Sequence, residues 1–492
     1  MNASTQRLGV LDTAFLDVED ADPHVSLAIG SVAIVAGPPP THDEFVARVG
    51  PRLLSLPGAT ARVRRRRFGA PELVRDRLPD PDHHIRRVAV TSPGDDTALH
   101  ELVASIMARR LDRDRPLWEC WVVEGLSGGR WAVLFKVHHC LVDGVGGVDL
   151  LTALCADDPD APGARPAPPV PRSPLRSAPP LPLAPLRTAP PVPRSPLRTA
   201  PPVPRWPLQA AIPVPWGPLQ AVRQVLRGTA GLAGAAVPVA PSSLVGPIGS
   251  RRRYRVVRAS LTDVAAAGRA HGATVNDVVL AAVSAGLRDL LTARGEPTWA
   301  RAVRALVPVS VRHAATGVEG NAISVRLPFL PIHITHPVEA LEKVHRAMRH
   351  HAATGESDAG QALLALARHA CPTLLSSGVR LGARLPQRSI TTVTTNVPGP
   401  RHPLSLIGRD VIEVLPYVPI ALGLRTGVAA LSYRDRLVLG ITGDHDSTPD
   451  LDVLASGIER GLSRLVEPAA RSRQSATAAA RQGPQDATSR VR

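Results

Sequence analysis

The chain has 492 residues, of which 44% are hydrophobic and 3% aromatic, and its formal net charge is +16. That length suffices for two ordinary domains, and no stretch reaches the roughly 18 uncharged apolar residues that a membrane span needs. Lysine occurs only at Lys136 and Lys343, so the positive charge is almost all arginine. With few aromatic side chains to stack on bases, the sequence predicts no nucleic-acid partner, whereas an anionic membrane surface or a phosphorylated substrate needs only the charge.

The start of the chain and its cysteines favour a cytoplasmic protein. The first twenty residues lack the basic start, apolar centre and small-residue cleavage site of a secretory signal. Cys120, Cys140, Cys155 and Cys371 lack the spacing of metal ligands, which is typical of reduced thiols.

The first block, residues 1–160, is predicted to mix helices and strands. Apolar residues at helical spacing predict helices at 43–54 and 96–111. Apolar runs of strand length predict strands at 25–35 and 131–137.

A repeat of eleven residues, rich in proline and arginine, lies between the blocks in residues 161–240. The copies PPVPRSPLRSA, PPLPLAPLRTA and PPVPRSPLRTA begin at Pro168, Pro179 and Pro190. Proline at this density removes backbone donors and disfavours helix, so the segment is predicted to be an extended or disordered linker. A docking segment for a partner is the alternative interpretation.

The second block, residues 241–467, opens with predicted helices at 260–270 and 274–293. Strands are predicted at 302–309, 323–328, 390–394, 427–432 and 436–442. Residues 468–492 lack hydrophobic periodicity, which predicts a disordered tail. Because both blocks mix helices and strands, we expect an α/β protein of two lobes joined by the linker.

The segment WAVLFKVHHCLVDGVGGVDLL, residues 131–151, is the strongest candidate for a functional site. An apolar strand ends in His138 and His139, and a turn containing Asp143 and Gly144 leads into a short apolar helix. Adjacent strand residues point to opposite faces, so the two histidines are expected to differ in role. A histidine is mostly neutral at pH 7 and is able to take a proton from a hydroxyl group, which suits acyl transfer.

Three other interpretations compete at this segment. A histidine after a strand is often a hydrogen-bonded structural residue. Two histidines and Asp143 are potential metal ligands, but the adjacent pair diverges and no third ligand follows at helical spacing. The glycines suggest a phosphate loop, yet neither GxGxxG nor GxxxxGK[ST] is present.

The string HHCLVDG resembles the HHxxxDG motif of the CoA-dependent acyltransferase superfamily. Other segments are similar to motifs of the bacterial wax ester synthase/diacylglycerol acyltransferase family, in the family's order. They are LDTAFLDVED near the start, RPLWECWVVEGL, ATVNDVVLAAVSAGLRDLL, ALVPVSVR, GNAISVRLP and TNVPGP. The resemblance covers both blocks but neither the repeat nor the tail.

This resemblance implies two chloramphenicol-acetyltransferase-like lobes with an active-site tunnel between them. The family joins fatty acyl-CoA to diacylglycerol or a long-chain alcohol, so acyl-CoA is a co-substrate and no cofactor or metal is implied. His139 would be the general base, while His138 and Gly144 shape the loop. Asp143 is expected to pair with an arginine rather than with His139, and Arg312 is the candidate.

Three further candidates each have a structural alternative. Asn276 is a candidate for orienting the site. Asp277 lies three residues after Thr274, which is the spacing of a helix cap; the alternative is a direct contact with substrate. Asn396 lies where a strand turns into Pro-Gly, and the preceding Thr395 stands where the family usually has serine. Thr395 keeps a hydroxyl that can bond to a tetrahedral oxyanion, and the alternative for this segment is a turn role alone. The tryptophan of Pro116-Leu117-Trp118 is expected to serve packing rather than catalysis.

The resulting hypothesis is a cytoplasmic enzyme, peripheral to the inner membrane face or to lipid droplets. Its partners would be acyl-CoA, diacylglycerol or a long-chain alcohol, and a lipid surface. Arginines 64–67 and 251–253 are candidates for contact with anionic headgroups or CoA phosphates, or are simply charged surface. The alternatives are a condensation-type acyltransferase using a carrier-protein donor and a non-catalytic lipid-droplet or scaffold protein.

Overall fold

The computed structural model describes most of both predicted blocks. The described residues are 6–56, 58–66, 69–75, 79–142, 144–155, 239–310, 323–353, 372–384 and 387–481. Predictions for the repeat, for Asp143 and for Arg312 therefore lie outside the described residues.

The first half of the chain contains five helices and seven strands among these residues. The helices are α1 (Val10–Ala21), α2 (His42–Ser55), α3 (Pro81–His84), α4 (Asp96–Ala108) and α5 (Gly144–Leu154). The strands are β1 (Gln6–Arg7), β2 (Ala28–Ala36), β3 (Ala61–Arg64), β4 (Glu72–Arg75), β5 (Ile85–Ala89), β6 (Trp118–Leu126) and β7 (Arg130–His138).

The second half contributes the remaining elements. Its helices are α6 (Leu261–Ala270), α7 (Val275–Ala293), α8 (Pro337–Ala353), α9 (Pro372–Arg384) and α10 (Leu451–Arg481). Its strands are β8 (Arg252–Ser260), β9 (Ala305–Ser310), β10 (Ile323–Arg326), β11 (Thr392–Val397), β12 (Ser405–Leu406), β13 (Arg409–Tyr417), β14 (Thr426–Tyr433) and β15 (Arg436–Asp444). The mixed α/β class predicted from the sequence is confirmed.

Two six-stranded sheets form the centres of two lobes. The first has the order β12-β13-β2-β7-β6-β5, and the second has the order β10-β9-β11-β14-β15-β8. Strands β12 and β13 come from the second half of the chain but pair in the first sheet. The prediction that residues 241–467 form a separate lobe is therefore wrong for these two strands, because strand pairing is decided by non-local contacts.

Strand β7 lies inside the first sheet, and this explains its nearly continuous apolar sequence. One face, with Trp131 and Phe135, packs in the core beside α2 and α5. The other face, with Ala132 and Leu134, packs in a second core that includes residues of α4. A strand covered on both faces is mostly apolar, and the packing on both faces gives its carboxyl end rigid support.

Helices α7 and α10 cover the second sheet and approach each other closely. A Cβ added at Gly286 would lie 2.5 Å from Ile458 Cγ1 and 2.7 Å from the Leu454 carbonyl oxygen. Leu287 and Leu290 of α7 are buried in the same core as Leu454. Glycine is therefore required at position 286 for this helix crossing.

The lobes are joined by polar contacts as well as by apolar packing. Arg258 of β8 lies 2.8 Å from Asp96 of α4 and 2.8 Å from Glu413 of β13. The buried Tyr254 hydroxyl donates to the Pro416 carbonyl oxygen at 2.7 Å. Through these contacts, β8 of the second sheet packs against β13, the strand from the second half of the chain that pairs in the first sheet.

Helix α10 continues to Arg481, beyond the predicted boundary at residue 467. The prediction of disorder from residue 468 is thus wrong as far as Arg481, while residues 482–492 lie outside the described residues. The segment AARSRQSATAAAR is rich in alanine and arginine, whose intrinsic helix propensity needs no apolar periodicity. Among the residues that the structure describes, no helix is both long enough and apolar enough to cross a membrane.

Candidate active site

His138 and His139 lie at the carboxyl end of β7, between the starts of β2 and β6. The His138 backbone N–H donates to the Leu117 carbonyl at 3.0 Å, and the His139 N–H donates to the Leu27 carbonyl at 3.0 Å. His138 is fully buried and His139 is half-buried. The two adjacent histidines therefore lie in different environments, and the predicted difference in role stays a prediction.

Both nitrogen atoms of the His138 ring face groups of the chain. Nδ1 accepts the Cys140 backbone N–H at 3.1 Å, and Nε2 lies 3.4 Å from Glu19 Oε2. Burial lowers the pKa of His138 more than the neighbouring Glu19 carboxylate raises it. Burial thus favours the neutral His138 ring, which carries its proton on Nε2 because Nδ1 accepts the Cys140 N–H.

Glu19 of α1 is a buried carboxylate that the sequence reasoning missed. Its Oε1 accepts the Leu27 N–H at 3.0 Å, and its Oε2 accepts Arg113 Nε–H at 3.1 Å. Burial opposes ionisation, but the hydrogen bonds from His138 and the Leu27 N–H and the positive charge of Arg113 lower the pKa of Glu19 to about 2. The signal available in the sequence was an acidic residue within a helix that is otherwise apolar on that face.

His139 presents its ring to a different neighbour. The ring stacks on Phe15 of α1, with centroids 4.1 Å apart and planes inclined by 24°. Phe15 packs against an apolar cluster of Val25, Leu27, Ile248 and Ile420, which combines residues from both halves of the chain. His139 therefore lies at the junction of the two lobes.

Helix α5 follows the histidine turn and also contacts both lobes. Val148 and Leu151 pack with Ile29 of β2 and with Val397 and Leu431 of the second sheet. Gly144 begins this helix. Because Asp143 and Arg312 lie outside the described residues, their pairing stays a prediction.

Asp277 caps the start of α7 in the way that its spacing from Thr274 predicts. Its Oδ2 accepts the Thr274 N–H at 2.9 Å, and its own N–H donates to Thr274 Oγ1 at 3.2 Å. The same carboxylate lies 2.9 Å from His345 Nδ1 of α8, and the residue is only 3% exposed. Asn276 is half-buried in the same first turn.

Strand β11 carries Thr395 and Asn396 towards the lobe junction. Val397, two residues after Thr395, packs in the core of the first lobe. Asn396 instead pairs in register with Ala430, which belongs to the core beneath α7. Since successive side chains alternate, Thr395 lies on the same face of the strand as Val397, and Asn396 lies on the opposite face.

Trp118 belongs to the packing beneath the histidines. It is 4% exposed and pairs in register with Val137 of β7. Its Nε1–H donates to the Ala59 carbonyl at 2.9 Å, and its ring stacks on His84 with centroids 4.5 Å apart. These contacts agree with the packing role expected for this residue.

Several arginines of the clusters proposed for lipid or phosphate contact are engaged by other groups of the chain. Arg64 and Arg66 lie 3.2 Å and 2.8 Å from the carboxylate of Glu72. Arg251 lies 3.0 Å from Asp446, and the neighbouring Arg252 and Arg253 are also engaged by the chain. These arginines give no support to the predicted membrane contact.

Comparison with known proteins gives two family matches that together cover most of the chain. Residues 8–279 match the wax ester synthase/diacylglycerol acyltransferase catalytic domain, and residues 319–466 match the WS/DGAT C-terminal domain. The protein called Probable diacyglycerol O-acyltransferase tgs1 from Mycobacterium tuberculosis (strain H37Rv) is 38% identical over 462 residues, covering 93% of this chain and 95% of that protein.

Solved structures agree with this match. The wax ester synthase/diacylglycerol acyltransferase from Marinobacter aquaeolei VT8 superposes with a TM-score of 0.63 at 25% identity, covering 94% of this chain and all of that chain. The first condensation domain of the CDA synthetase superposes with a TM-score of 0.58 at 16% identity, covering 95% of this chain and 98% of that chain. The second likeness concerns the fold alone.

Proposed function

Because the chain belongs to the wax ester synthase/diacylglycerol acyltransferase family, we propose that this acyltransferase moves a long-chain fatty acyl group from acyl-CoA to diacylglycerol. The products are triacylglycerol and free CoA. Long-chain alcohols are the second acceptor class, which gives wax esters. The name of the mycobacterial relative at 38% identity supports diacylglycerol as the main acceptor.

The observation that carries the proposal is the division of roles between the two histidines. His138 is buried, and both of its ring nitrogens face groups of the chain, Cys140 N–H and the Glu19 carboxylate. His139 is half-buried at the junction where residues of both lobes meet. We therefore assign the role of general base to His139, whose half-buried ring lies where residues of both halves of the chain meet.

The reaction proceeds by direct transfer. His139 takes the proton of the acceptor hydroxyl as its oxygen attacks the thioester carbonyl carbon. The tetrahedral intermediate carries its negative charge on the former carbonyl oxygen, near which the Thr395 hydroxyl is the proposed donor. When the intermediate collapses, the C–S bond breaks and the CoA sulfur receives the proton from His139. An ester and CoA–SH result, and no acyl-enzyme is formed.

Other members of the site support this chemistry from a distance. Asp277 caps the start of α7, where Asn276 would orient the site, and Asp143 with Arg312 would hold the turn after the histidines. Asn396 stabilises the end of β11 beside Thr395. A tunnel between the lobes would bring acyl-CoA and acceptor to His139 from opposite sides.

The acceptor is a neutral lipid, so we place the enzyme in the cytoplasm at a membrane or lipid-droplet surface. A carrier-protein donor, as in condensation-type enzymes, is disfavoured because the likeness to a condensation domain stands at 16% identity. A non-catalytic scaffold is disfavoured by the ordered support around both histidines. The linker at residues 161–240 would connect the lobes.

The test is the release of CoA from palmitoyl-CoA by purified protein, with dioleoylglycerol or hexadecanol as acceptor. We expect acceptor-dependent release, faster with dioleoylglycerol, that falls at least about 10²-fold in His139→Ala. His271→Ala, an exposed histidine after α6, is the matched control and should keep full activity. Release that needs no acceptor, or that persists in His139→Ala, contradicts the proposal.

A further inference from the structure

We propose that Phe15 is a positioning residue for the reaction, because its ring holds the imidazole of His139 in the orientation in which it accepts a proton. The inference rests on the proposed function of His139 as the base. Phe15, a residue of α1, takes no part in the reaction itself but holds His139, which does.

Helix α1 contacts both histidines through one of its faces. Phe15 and Glu19 are four residues apart, so their side chains lie one above the other on the helix surface. Glu19 faces His138, with Oε2 3.4 Å from Nε2. Phe15 stacks on His139. A single turn of helix α1 thus contacts the rings of both histidines.

The contact between Phe15 and His139 suits orientation rather than proton transfer. With centroids 4.1 Å apart and an angle of 24°, the phenyl ring lies against the flat face of the imidazole. Ring nitrogens form hydrogen bonds in the ring plane, so a stacked phenyl ring occupies neither of them. It restricts rotation of the imidazole without competing for the proton.

Phe15 is itself supported on a rigid element. Asp17, two residues further along α1, is 1% exposed, and its Oδ1 lies 3.2 Å from Arg65 and 2.9 Å from Arg380 of α9. Arg113 binds the Glu19 carboxylate on the same helix. Ion pairs therefore hold helix α1 against Arg65, which follows β3, and against α9 of the second half of the chain.

An orienting role predicts a specific kinetic change. A general base has to lie within hydrogen-bond reach of the hydroxyl in the bound complex, and small misplacements lower the rate of the chemical step steeply. Binding of acyl-CoA and diacylglycerol does not depend on the rotation of the imidazole. Loss of the phenyl ring should therefore lower kcat and leave KM nearly unchanged.

The experiment compares Phe15→Leu, Phe15→Tyr and the control Phe45→Leu. Phe45 is a fully buried phenylalanine of α2 that packs against Trp131, so its replacement reports the general effect of losing a phenyl ring from this lobe. We expect kcat to fall about 10-fold in Phe15→Leu, with KM for palmitoyl-CoA and dioleoylglycerol within twofold. Phe15→Tyr keeps the flat ring and should restore kcat, and Phe45→Leu should keep it.

A second measurement reads the stacking without turnover. In protein labelled with ¹³C-histidine, the Cε1–H signal of His139, assigned by its loss in His139→Ala, should move on Phe15→Leu and stay in place on Phe15→Tyr. If Phe15→Leu moves the signal but leaves kcat unchanged, the positioning role is wrong. It is also wrong if Phe15→Leu does not move the signal. An equal fall of kcat in Phe15→Leu and Phe15→Tyr also overturns it. If the wild type releases no CoA while the signal behaves as expected, the proposed function fails and not the stacking.

Discussion

Replacing Glu19 by glutamine removes one buried charge while keeping the shape of the side chain. The amide oxygen can still accept the Leu27 N–H that Oε1 accepts at 3.0 Å. The amide NH₂ group, however, takes the place of Oε2, which accepts from Arg113 and faces His138 Nε2. The amide NH₂ group would then face two other donors, Arg113 and His138, and Arg113 would keep only the Asp20 carboxylate, 3.6 Å away, as a charged partner.

The magnitude follows from the pKa of Glu19, which is lowered from 4.5 to about 2. A difference of about 2.5 pKa units corresponds to about 3 kcal/mol of free energy of unfolding. The folded-state pKa lies below the unfolded one, so this stabilisation is fully present above pH 4.5. It is lost as the pH falls from 4.5 towards 2, because the unfolded chain binds the proton first.

Urea unfolding followed by tryptophan fluorescence measures both effects. We expect Glu19→Gln to be about 3 kcal/mol less stable than the wild type at pH 7, with the difference shrinking steadily below pH 4.5. Glu459→Gln, which alters an exposed carboxylate of α10, is the control and should change stability by less than about 0.5 kcal/mol. A loss below about 1 kcal/mol for Glu19→Gln, or a loss independent of pH, would refute the reasoning.

Three further predictions follow from single contacts. Thr395→Val should lower kcat about 10²-fold while Thr395→Ser stays near the wild type, and CoA release with full activity in the valine variant would remove the hydroxyl from the mechanism. Tyr254→Phe removes the 2.7 Å hydrogen bond to the Pro416 carbonyl and should lower the free energy of unfolding by about 1–2 kcal/mol; urea unfolding with no change would contradict this. Burial lowers the pKa of Lys136 to about 8 from 10.5, so between these pH values the unfolded chain binds more protons and stability rises with pH. Unfolding from pH 8 to 10.5 should show this gain, up to about 3 kcal/mol, in the wild type and not in Lys136→Met, and equal slopes in both proteins would disprove it.

Local signals predicted the elements that carry the site. The apolar run before the histidines predicted residues 131–137 as a strand, and β7 spans Arg130–His138. The capping pattern of Thr274 and Asp277 predicted the start of α7, which begins at Val275. In both cases the interactions that determine the element join residues close together in the sequence, so the pattern is visible without the structure.

Non-local contacts were not predictable in the same way. Nothing in the sequence of β13, Arg409–Tyr417, indicates that it pairs with β2 of the other lobe. Helix α1 was missed because the buried acids Asp17 and Glu19 interrupt its apolar pattern. Their partners, including Arg380 and His138, are distant in sequence, so burial of these carboxylates becomes intelligible only in the folded structure.

The division of roles between His138 and His139 is the central claim, and it is tested most directly by measuring turnover and stability together in the two alanine variants. His139→Ala should lower kcat/KM for CoA release by at least about 10²-fold and change the free energy of unfolding by less than about 1 kcal/mol. His138→Ala should lower the free energy of unfolding by about 2 kcal/mol or more, because it leaves the Cys140 N–H and Glu19 without their buried partner. Turnover that survives in His139→Ala, or a stable His138→Ala protein with no turnover, would contradict the account.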